Sequence, residues 1–202
     1  MKSLAIFASG SGTNAENIIR YFSNSEFFKV AIVLSNKQGA GVHERAKKLN
    51  TPSISFSKEE FESGEAILDI LKTYQIDFIV LAGFMSKIAD NLLAAYPHKI
   101  INIHPALLPK FGGKGMYGMH VHRAVIASGE TKSGISIHYI DEHYDEGPII
   151  FQAECPVFAD DTPESLCERI HQLEHKWYPE SLPFLILMYW ALICFSDHSS
   201  LN

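Results

Sequence analysis

Over its first hundred residues the chain alternates short apolar runs with amphipathic segments. The runs are continuous, as in parallel strands buried on both faces, and lie at residues 4–8, 30–34 and 78–82. The amphipathic segments predict helices at residues 15–22, 42–49, 58–74 and 87–96. This alternation favours a parallel sheet with right-handed crossover helices.

The second half of the chain has a different pattern. Further strands are predicted at residues 99–104, 134–140 and 148–157, and the short loop between the last two makes them antiparallel. A final helix should begin near Thr162, a favourable N-cap, with Pro163 in its first turn; Pro179 is expected to interrupt it. At 202 residues the chain suits one domain. We predict a single α/β domain with a mostly parallel twisted sheet, helices on both faces and an antiparallel strand towards the C-terminus.

A glycine-rich segment, Ser9-Gly-Ser-Gly-Thr-Asn-Ala15, separates the first predicted strand from the first helix. Such a loop brings backbone N–H groups close to an anion at a helix N-terminus, so a phosphate is the expected ligand. The spacing of Gly10, Gly12 and Ala15 also fits the dinucleotide fingerprint, which leaves a nucleotide-dependent oxidoreductase as an alternative. No acidic residue follows at the usual ribose position; Lys37 would instead suit the extra phosphate of NADP.

Asn102 and His104 close the strand predicted at residues 99–104. Side chains two apart in a strand share a face, so this pair would present an amide and an imidazole to one point. Pro105 ends the strand because it has no N–H for the ladder. The pair fits either a catalytic site or an ordinary strand end with a hydrogen-bonded histidine.

The string His171-Gln-Leu-Glu174-His175 matches the H-x-x-E-H pattern of inverted zinc peptidases. On a helix it would place two imidazoles on one face, so a zinc hydrolase is a second alternative. Five-residue motifs recur by chance, and a third ligand would have to come from elsewhere in the chain.

Composition excludes several broad classes. A net charge of −6 argues against a general nucleic-acid binder. Three cysteines without CxxC spacing indicate free thiols in a reducing cytoplasm, and the N-terminus has no signal-peptide pattern. The apolar run at residues 182–195 contains Pro183 and is shorter than the ~20 residues of a membrane span, so a buried helix is expected there.

Four segments taken together closely resemble the phosphoribosylglycinamide formyltransferases: Ser9–Asn14, Leu81-Ala-Gly-Phe-Met85, Asn102-Ile-His-Pro-Ala-Leu-Leu-Pro-Lys110 and Asp141 to Pro148. The resemblance covers residue 2 to about residue 188, in order. It implies a Rossmann-like formyltransferase fold. It also implies transfer of a formyl group from 10-formyltetrahydrofolate to the amine of glycinamide ribonucleotide in purine (IMP) biosynthesis, without a metal.

The resemblance also implies roles for individual residues. Asn102 and His104 would stabilise the oxyanion that forms on the formyl oxygen, and Asp145 would stabilise the charged imidazole and raise its pKa. The nucleotide would be bound by Gly10, Gly12, Thr13, Asn14, His171, Gln172, Leu173 and Glu174. The folate would be bound by Met85, Ser86, Lys87, Ile88, Asn102, Asp141, Glu142, His143, Tyr144 and Asp145.

These roles divide the predicted domain, residues 1–202, into a nucleotide-binding half at 1–100 and a catalytic, folate-binding half at 101–202. The glycine-rich segment Gly112 to Gly118 is expected to form a mobile flap over the site. Ser86 stands where family members commonly carry arginine, and Gly64 stands where some members place an arginine near the folate tail, so contacts to the folate should differ. A related folate hydrolase, or a formyltransferase for another substrate, shares the Asn-x-His strand and stays an alternative. A monomer or homodimer is expected.

Overall fold

A seven-stranded sheet forms the centre of the computed structural model, which describes residues 1–197, with the backbone alone for residues 188–197. The strands are β1 (Lys2–Phe7), β2 (Phe28–Ser35), β3 (Ser53–Ser55), β4 (Phe78–Leu81), β5 (Ile100–His104), β6 (Lys132–Tyr139) and β7 (Ile149–Pro156). Their order across the sheet is β3-β2-β1-β4-β5-β6-β7. Strand β6 is antiparallel to both of its neighbours, β5 and β7, and the other pairs are parallel. The prediction of a mostly parallel sheet with an antiparallel part is therefore confirmed.

The central strands are buried on both faces. In β1, Leu4 and Ile6 pack into one apolar cluster, whereas Ala5 and Phe7 pack into another on the opposite face of the sheet. All four side chains are fully buried. This two-sided burial explains why the apolar runs in the sequence are continuous rather than alternating.

Helices cover both faces of the sheet. One face carries α1 (Thr13–Phe22), α2 (Gly41–Lys48), α6 (Met119–Ala127) and α7 (Pro163–Asp197). The other face carries α3 (Lys58–Ser63), α4 (Glu65–Thr73) and α5 (Asp90–Ala95). Among the described residues, no helix has the length and apolar character needed to cross a membrane.

Several local details differ from the sequence-based expectation. The helix predicted at residues 58–74 is two helices, because Gly64 adopts a left-handed backbone (φ 70°) and ends α3. The short strand β3 and the helix α6 were not predicted. The helix expected from residue 87 begins only at Asp90.

The expectation that Pro179 interrupts the last helix is wrong. The helix begins at Pro163, as predicted, and its N-cap Thr162 accepts a hydrogen bond from the Ser165 N–H (3.2 Å). It then continues through both Pro179 and Pro183. Burial of the surrounding turns outweighs the local cost of the prolines. Tyr178 is fully buried, and its hydroxyl donates to the carbonyl oxygens of Leu81 (2.9 Å) and Ile101 (3.1 Å).

Leu185 and Ile186 continue this buried face, whereas Phe184 and Leu187 are exposed, so as far as residue 187 the helix is buried on one face only. The apolar side chains at residues 188–195 lie outside the described side chains.

Candidate active site

The carboxyl ends of β1, β4 and β5 open into one cavity of about 460 Å³. Parallel sheets place ligands at this edge because loops and helix N-termini converge there. The cavity brings together most of the predicted site residues, namely Gly10, Gly12, Thr13, Asn14, Met85, Ser86, Lys87, Ile88, Asn102, His104, Asp141, His143, Tyr144, Asp145, His171 and Glu174. Glu142, Gln172 and Leu173 are not part of its lining, and Leu173 packs against the core instead.

Asp145 connects the two sides of the predicted catalytic cluster. Its Oδ2 atom lies 3.5 Å from Nδ1 of His104, although the two residues come from different segments of the chain. The same oxygen accepts a hydrogen bond from the Gly113 N–H (3.0 Å). The backbone of Asp145, in the loop after β6, is left-handed (φ 57°), a conformation that is uncommon for residues other than glycine. The sequence hypothesis of an Asn/His/Asp cluster is therefore sterically possible.

His138 is a member of this cluster that the sequence hypothesis missed. The antiparallel pairing of β5 and β6 places it directly opposite Asn102, and its Nε2 lies 3.1 Å from Nδ2 of Asn102. Its Nδ1 lies 3.0 Å from the Tyr139 carbonyl oxygen, so the neutral ring donates there and accepts from Asn102 through Nε2. Asp145 Oδ1 is 3.6 Å from the same Nε2. His138 thus fixes the orientation of the Asn102 amide.

A signal for His138 is present in the sequence. The segment Gly134-Ile-Ser-Ile-His138 has polar side chains two apart, the same pattern as Asn102 and His104. In an antiparallel pair the polar face of one strand lies beside the polar face of the other. The hypothesis needed the pairing of β5 with β6, which the sequence alone did not give.

The pKa of His104 is lower than usual, although Asp145 acts on it in the expected, raising direction. Burial is the largest cause, because only 3% of the residue is exposed. The charge of Asp145 and the hydrogen bond to the Phe111 carbonyl raise the pKa, but they do not outweigh burial. Burial likewise lowers the pKa of His138. Both imidazoles are therefore neutral at neutral pH.

The glycine-rich flap and Phe111, the residue before it, contact both catalytic candidates. Nε2–H of His104 donates to the carbonyl oxygen of Phe111 (2.8 Å), and the N–H of Gly113 in the flap donates to Asp145. The backbone of residues 111–113 therefore occupies a donor of the imidazole and an acceptor of the carboxylate.

The opposite end of the cavity is formed by the glycine-rich loop and α7. Gly12 is left-handed (φ 80°) and caps α1, and a Cβ atom there would lie 2.6 Å from Cβ of Val42. Nδ2 of Asn14, in the first turn, donates to Oε2 of Glu174 (2.9 Å). Glu174 is 6% exposed, and burial raises its pKa. Oδ1 of Asn14 is buried without a hydrogen-bond partner, so this end offers an unused acceptor.

The residues that the zinc hydrolase and oxidoreductase hypotheses require do not form the sites that those hypotheses predict. Glu174 contacts Asn14, and its Oε2 lies 4.0 Å from Nε2 of His171. The part of the chain that the structure describes has no group of three or more His, Cys, Asp or Glu side chains placed to hold a metal ion. Lys37, which the NADP hypothesis needs, does not line the cavity.

A glycine-rich phosphate-type loop beside an amide, imidazole and carboxylate cluster is the site of an enzyme that acts on small molecules. A formyl transferase family profile matches residues 2–182. The chain therefore belongs to the formyl transferase family, and the oxidoreductase and zinc hydrolase alternatives are set aside.

Within this family, the chain is similar to the following three proteins. Phosphoribosylglycinamide formyltransferase of Bacillus subtilis (strain 168) is 40% identical over 191 residues, covering 92% of this chain and 95% of that protein. The chloroplastic phosphoribosylglycinamide formyltransferase of Arabidopsis thaliana is 42% identical over 185 residues, covering 89% of this chain; the match spans 63% of that protein's length. The crystal structure of glycinamide ribonucleotide transformylase 1 from Geobacillus kaustophilus is 42% identical with a TM-score of 0.84, covering 92% of this chain and 98% of that one.

Proposed function

We propose that this protein transfers the formyl group of 10-formyltetrahydrofolate to the amine of glycinamide ribonucleotide, a step of purine biosynthesis. The observation that carries the proposal is the single cavity in which the glycine-rich loop and the Asn102, His104 and Asp145 cluster meet. One end suits a phosphate and the other suits acyl transfer. The names of the relatives above support this choice of substrates.

The nucleotide is assigned to the end formed by Gly10, Gly12, Thr13 and Asn14. Backbone N–H groups at the start of α1 suit a phosphate dianion. Glu174 and the free acceptor of Asn14 suit ribose hydroxyls, because each ribose hydroxyl can donate a hydrogen bond. His171 lines the same end.

The folate is assigned to the segment Met85 to Ile88 and to the loop from Asp141 to Asp145. Ser86 accepts a hydrogen bond from Nδ2 of Asn36, the residue that follows β2 (3.0 Å). Where the family commonly has a charged arginine, this chain therefore has an uncharged side chain bonded to another uncharged side chain. A Cβ atom at Gly64 would overlap the Asn91 amide, which excludes arginine there without rearrangement. Met85 is half exposed and free to cover an aromatic ring.

The proposed reaction begins with attack of the uncharged substrate amine on the formyl carbon. The oxygen becomes an oxyanion, and Asn102, held by His138, can donate its second Nδ2 hydrogen to it. The proton released by the amine passes through His104 to the leaving folate nitrogen. Nδ1 of His104 is unprotonated at rest, so proton uptake there turns a contact between two acceptors into an ion pair with Asp145.

Substrate binding is expected to release the flap from this cluster. The imidazole N–H that could reach the formyl oxygen is held by Phe111, and this bond must open before His104 acts as a donor to substrate. The glycines of the flap give the backbone the freedom for this exchange.

The partners in this proposal are two small molecules, with no nucleic acid and no membrane. Cys155 and Cys167 are free thiols, which supports the cytoplasm as the compartment. A monomer or homodimer and the division into halves at residue 100 stay predictions.

The proposal is tested by incubating the purified chain with glycinamide ribonucleotide and 10-formyltetrahydrofolate. Mass spectrometry should show a formylated ribonucleotide, and absorbance should show release of tetrahydrofolate in equal amount. Parallel reactions contain folate alone, or folate with aminoacylated initiator tRNA. Folate release without ribonucleotide, or formylation of the tRNA, would replace the proposal by one of the sister activities.

A further inference from the structure

His122 is a buried histidine of the cavity that the proposed mechanism does not use. It lies on α6, is 2% exposed and lines the cavity. Its Nδ1 atom is shielded from solvent and has no hydrogen-bond partner. Nε2 has no hydrogen-bond partner among the described residues either, but it is not one of the shielded atoms, so it is the ring nitrogen that a ligand in the cavity can reach.

The state of the ring follows from its surroundings. Burial, with smaller contributions from the nearby His171 and His104, lowers the pKa of His122 to about 4. The ring is therefore neutral at neutral pH and carries one proton. A buried N–H without a partner costs more than a buried lone pair, so the proton belongs on Nε2 and Nδ1 stays unprotonated. His122 thus offers the cavity one uncharged N–H donor.

The position of His122 limits what this donor can meet. His122 lines the same cavity as His104, at the catalytic end, and His171, at the nucleotide end, and both act on its pKa. In glycinamide ribonucleotide the group between the ribose and the reacting amine is an amide, whose carbonyl oxygen accepts hydrogen bonds.

We propose that Nε2–H of His122 donates a hydrogen bond to the amide carbonyl oxygen of the glycinamide arm, and that this contact selects the nucleotide substrate. The inference rests on the proposed function. It adds a specificity residue that reads the part of the substrate between the phosphate and the amine. A neutral donor suits an uncharged carbonyl, because no charge is left buried when the product leaves.

The test compares two ligands, glycinamide ribonucleotide and ribose 5-phosphate, which lacks the glycinamide arm. Calorimetry without folate should show that His122→Leu weakens binding of glycinamide ribonucleotide about 10- to 100-fold, with ribose 5-phosphate unaffected. His122→Gln, whose amide N–H reaches near the Nε2 position, should recover most of the loss. His120→Gln is the matched control, because His120 is an exposed histidine on the same helix and does not line the cavity.

A second measurement does not depend on the folding of any variant. In the wild-type chain labelled with ¹⁵N-histidine, glycinamide ribonucleotide should shift the Nε2 resonance of His122, and ribose 5-phosphate should leave it in place. The proposal is overturned if His122→Leu weakens both ligands alike, if it leaves glycinamide ribonucleotide binding unchanged, or if the resonance does not respond. Binding without formyl transfer would instead contradict the proposed function, so the two failures are distinguishable.

Discussion

Oδ2 of Asp145 lies 3.5 Å from Nδ1 of His104, and both side chains are largely buried. This distance is longer than a short hydrogen bond, as expected while Nδ1 of the neutral imidazole carries no proton. Contacts in ligand-free sites are commonly long and tighten when substrate binds. The position of Asp145 is therefore that of a group that stabilises the imidazolium formed during proton transfer.

Replacement of Asp145 by Asn should remove this stabilisation with little change in shape. We expect kcat for formyl transfer to fall on the order of 10²- to 10⁴-fold, the usual contribution of acid–base catalysis. Michaelis constants for both substrates should change little. Glu146→Gln is the control, because Glu146 is the adjacent, exposed carboxylate. Steady-state kinetics that show equal effects for the two variants would remove Asp145 from the mechanism.

Asn102 and His138 should act as one unit in oxyanion stabilisation. Asn102→Ala removes the proposed donor, and we expect kcat to fall on the order of 10²- to 10³-fold. His138→Leu should lower kcat less, because the amide remains but loses the partner that orients it. A double-mutant cycle should show that His138→Leu costs little more once Asn102 is Ala. Additive losses would show that His138 acts independently of Asn102.

The sequence predicted those site residues that belong to one local motif, but it missed the one that depends on how two strands pair. The loop from Gly10 to Asn14 and the pair Asn102 and His104 follow from local patterns, and all of them line the cavity. His138 was missed because its role comes from the register of β6 against β5, a contact between distant segments. The roles of the site residues stay predictions until variants are measured.

One error and one incomplete prediction have a common physical cause. Local rules predicted a break at Pro179, which is wrong; Asp145 was expected to raise the pKa of His104, and it acts in that direction without outweighing burial. In each case burial outweighed the local term: the packing of Tyr178 and its neighbours keeps the helix continuous, and the loss of water lowers the pKa of the imidazole. How deeply a residue is buried is a property of the whole fold.

Two glycines of the phosphate-type loop should respond very differently to alanine. At Gly12 the left-handed backbone and the overlap with Val42 both oppose a Cβ atom, so Gly12→Ala should lower the free energy of unfolding by about 2–4 kcal/mol. A Cβ atom at Gly10 would have no heavy atom within 4 Å. The free energy of unfolding of Gly10→Ala should therefore lie within about 0.5 kcal/mol of the wild-type value. Urea unfolding measures both values, and similar losses for the two variants would contradict the geometry of the loop.

The buried, neutral state of His122 predicts how the fold responds to acid. Its pKa is about 4 in the folded chain against an ordinary 6.5, so the unfolded chain binds more protons between these values. The stabilisation is therefore complete above pH 6.5 and is lost as pH falls towards 4. Between about pH 7.5 and about pH 5 this one group should lower the free energy of unfolding by about 2 kcal/mol. Leucine at this position cannot titrate. In urea unfolding, the free energy that His122→Leu loses over this pH change should therefore be smaller than the wild-type loss by that amount, whereas the loss for His120→Gln should match wild type. Glu174 has a raised pKa and acts with the opposite sign, but it is present in all three proteins and cancels in the comparison. Equal acid sensitivity of His122→Leu and wild type would show that His122 is not buried in its neutral form.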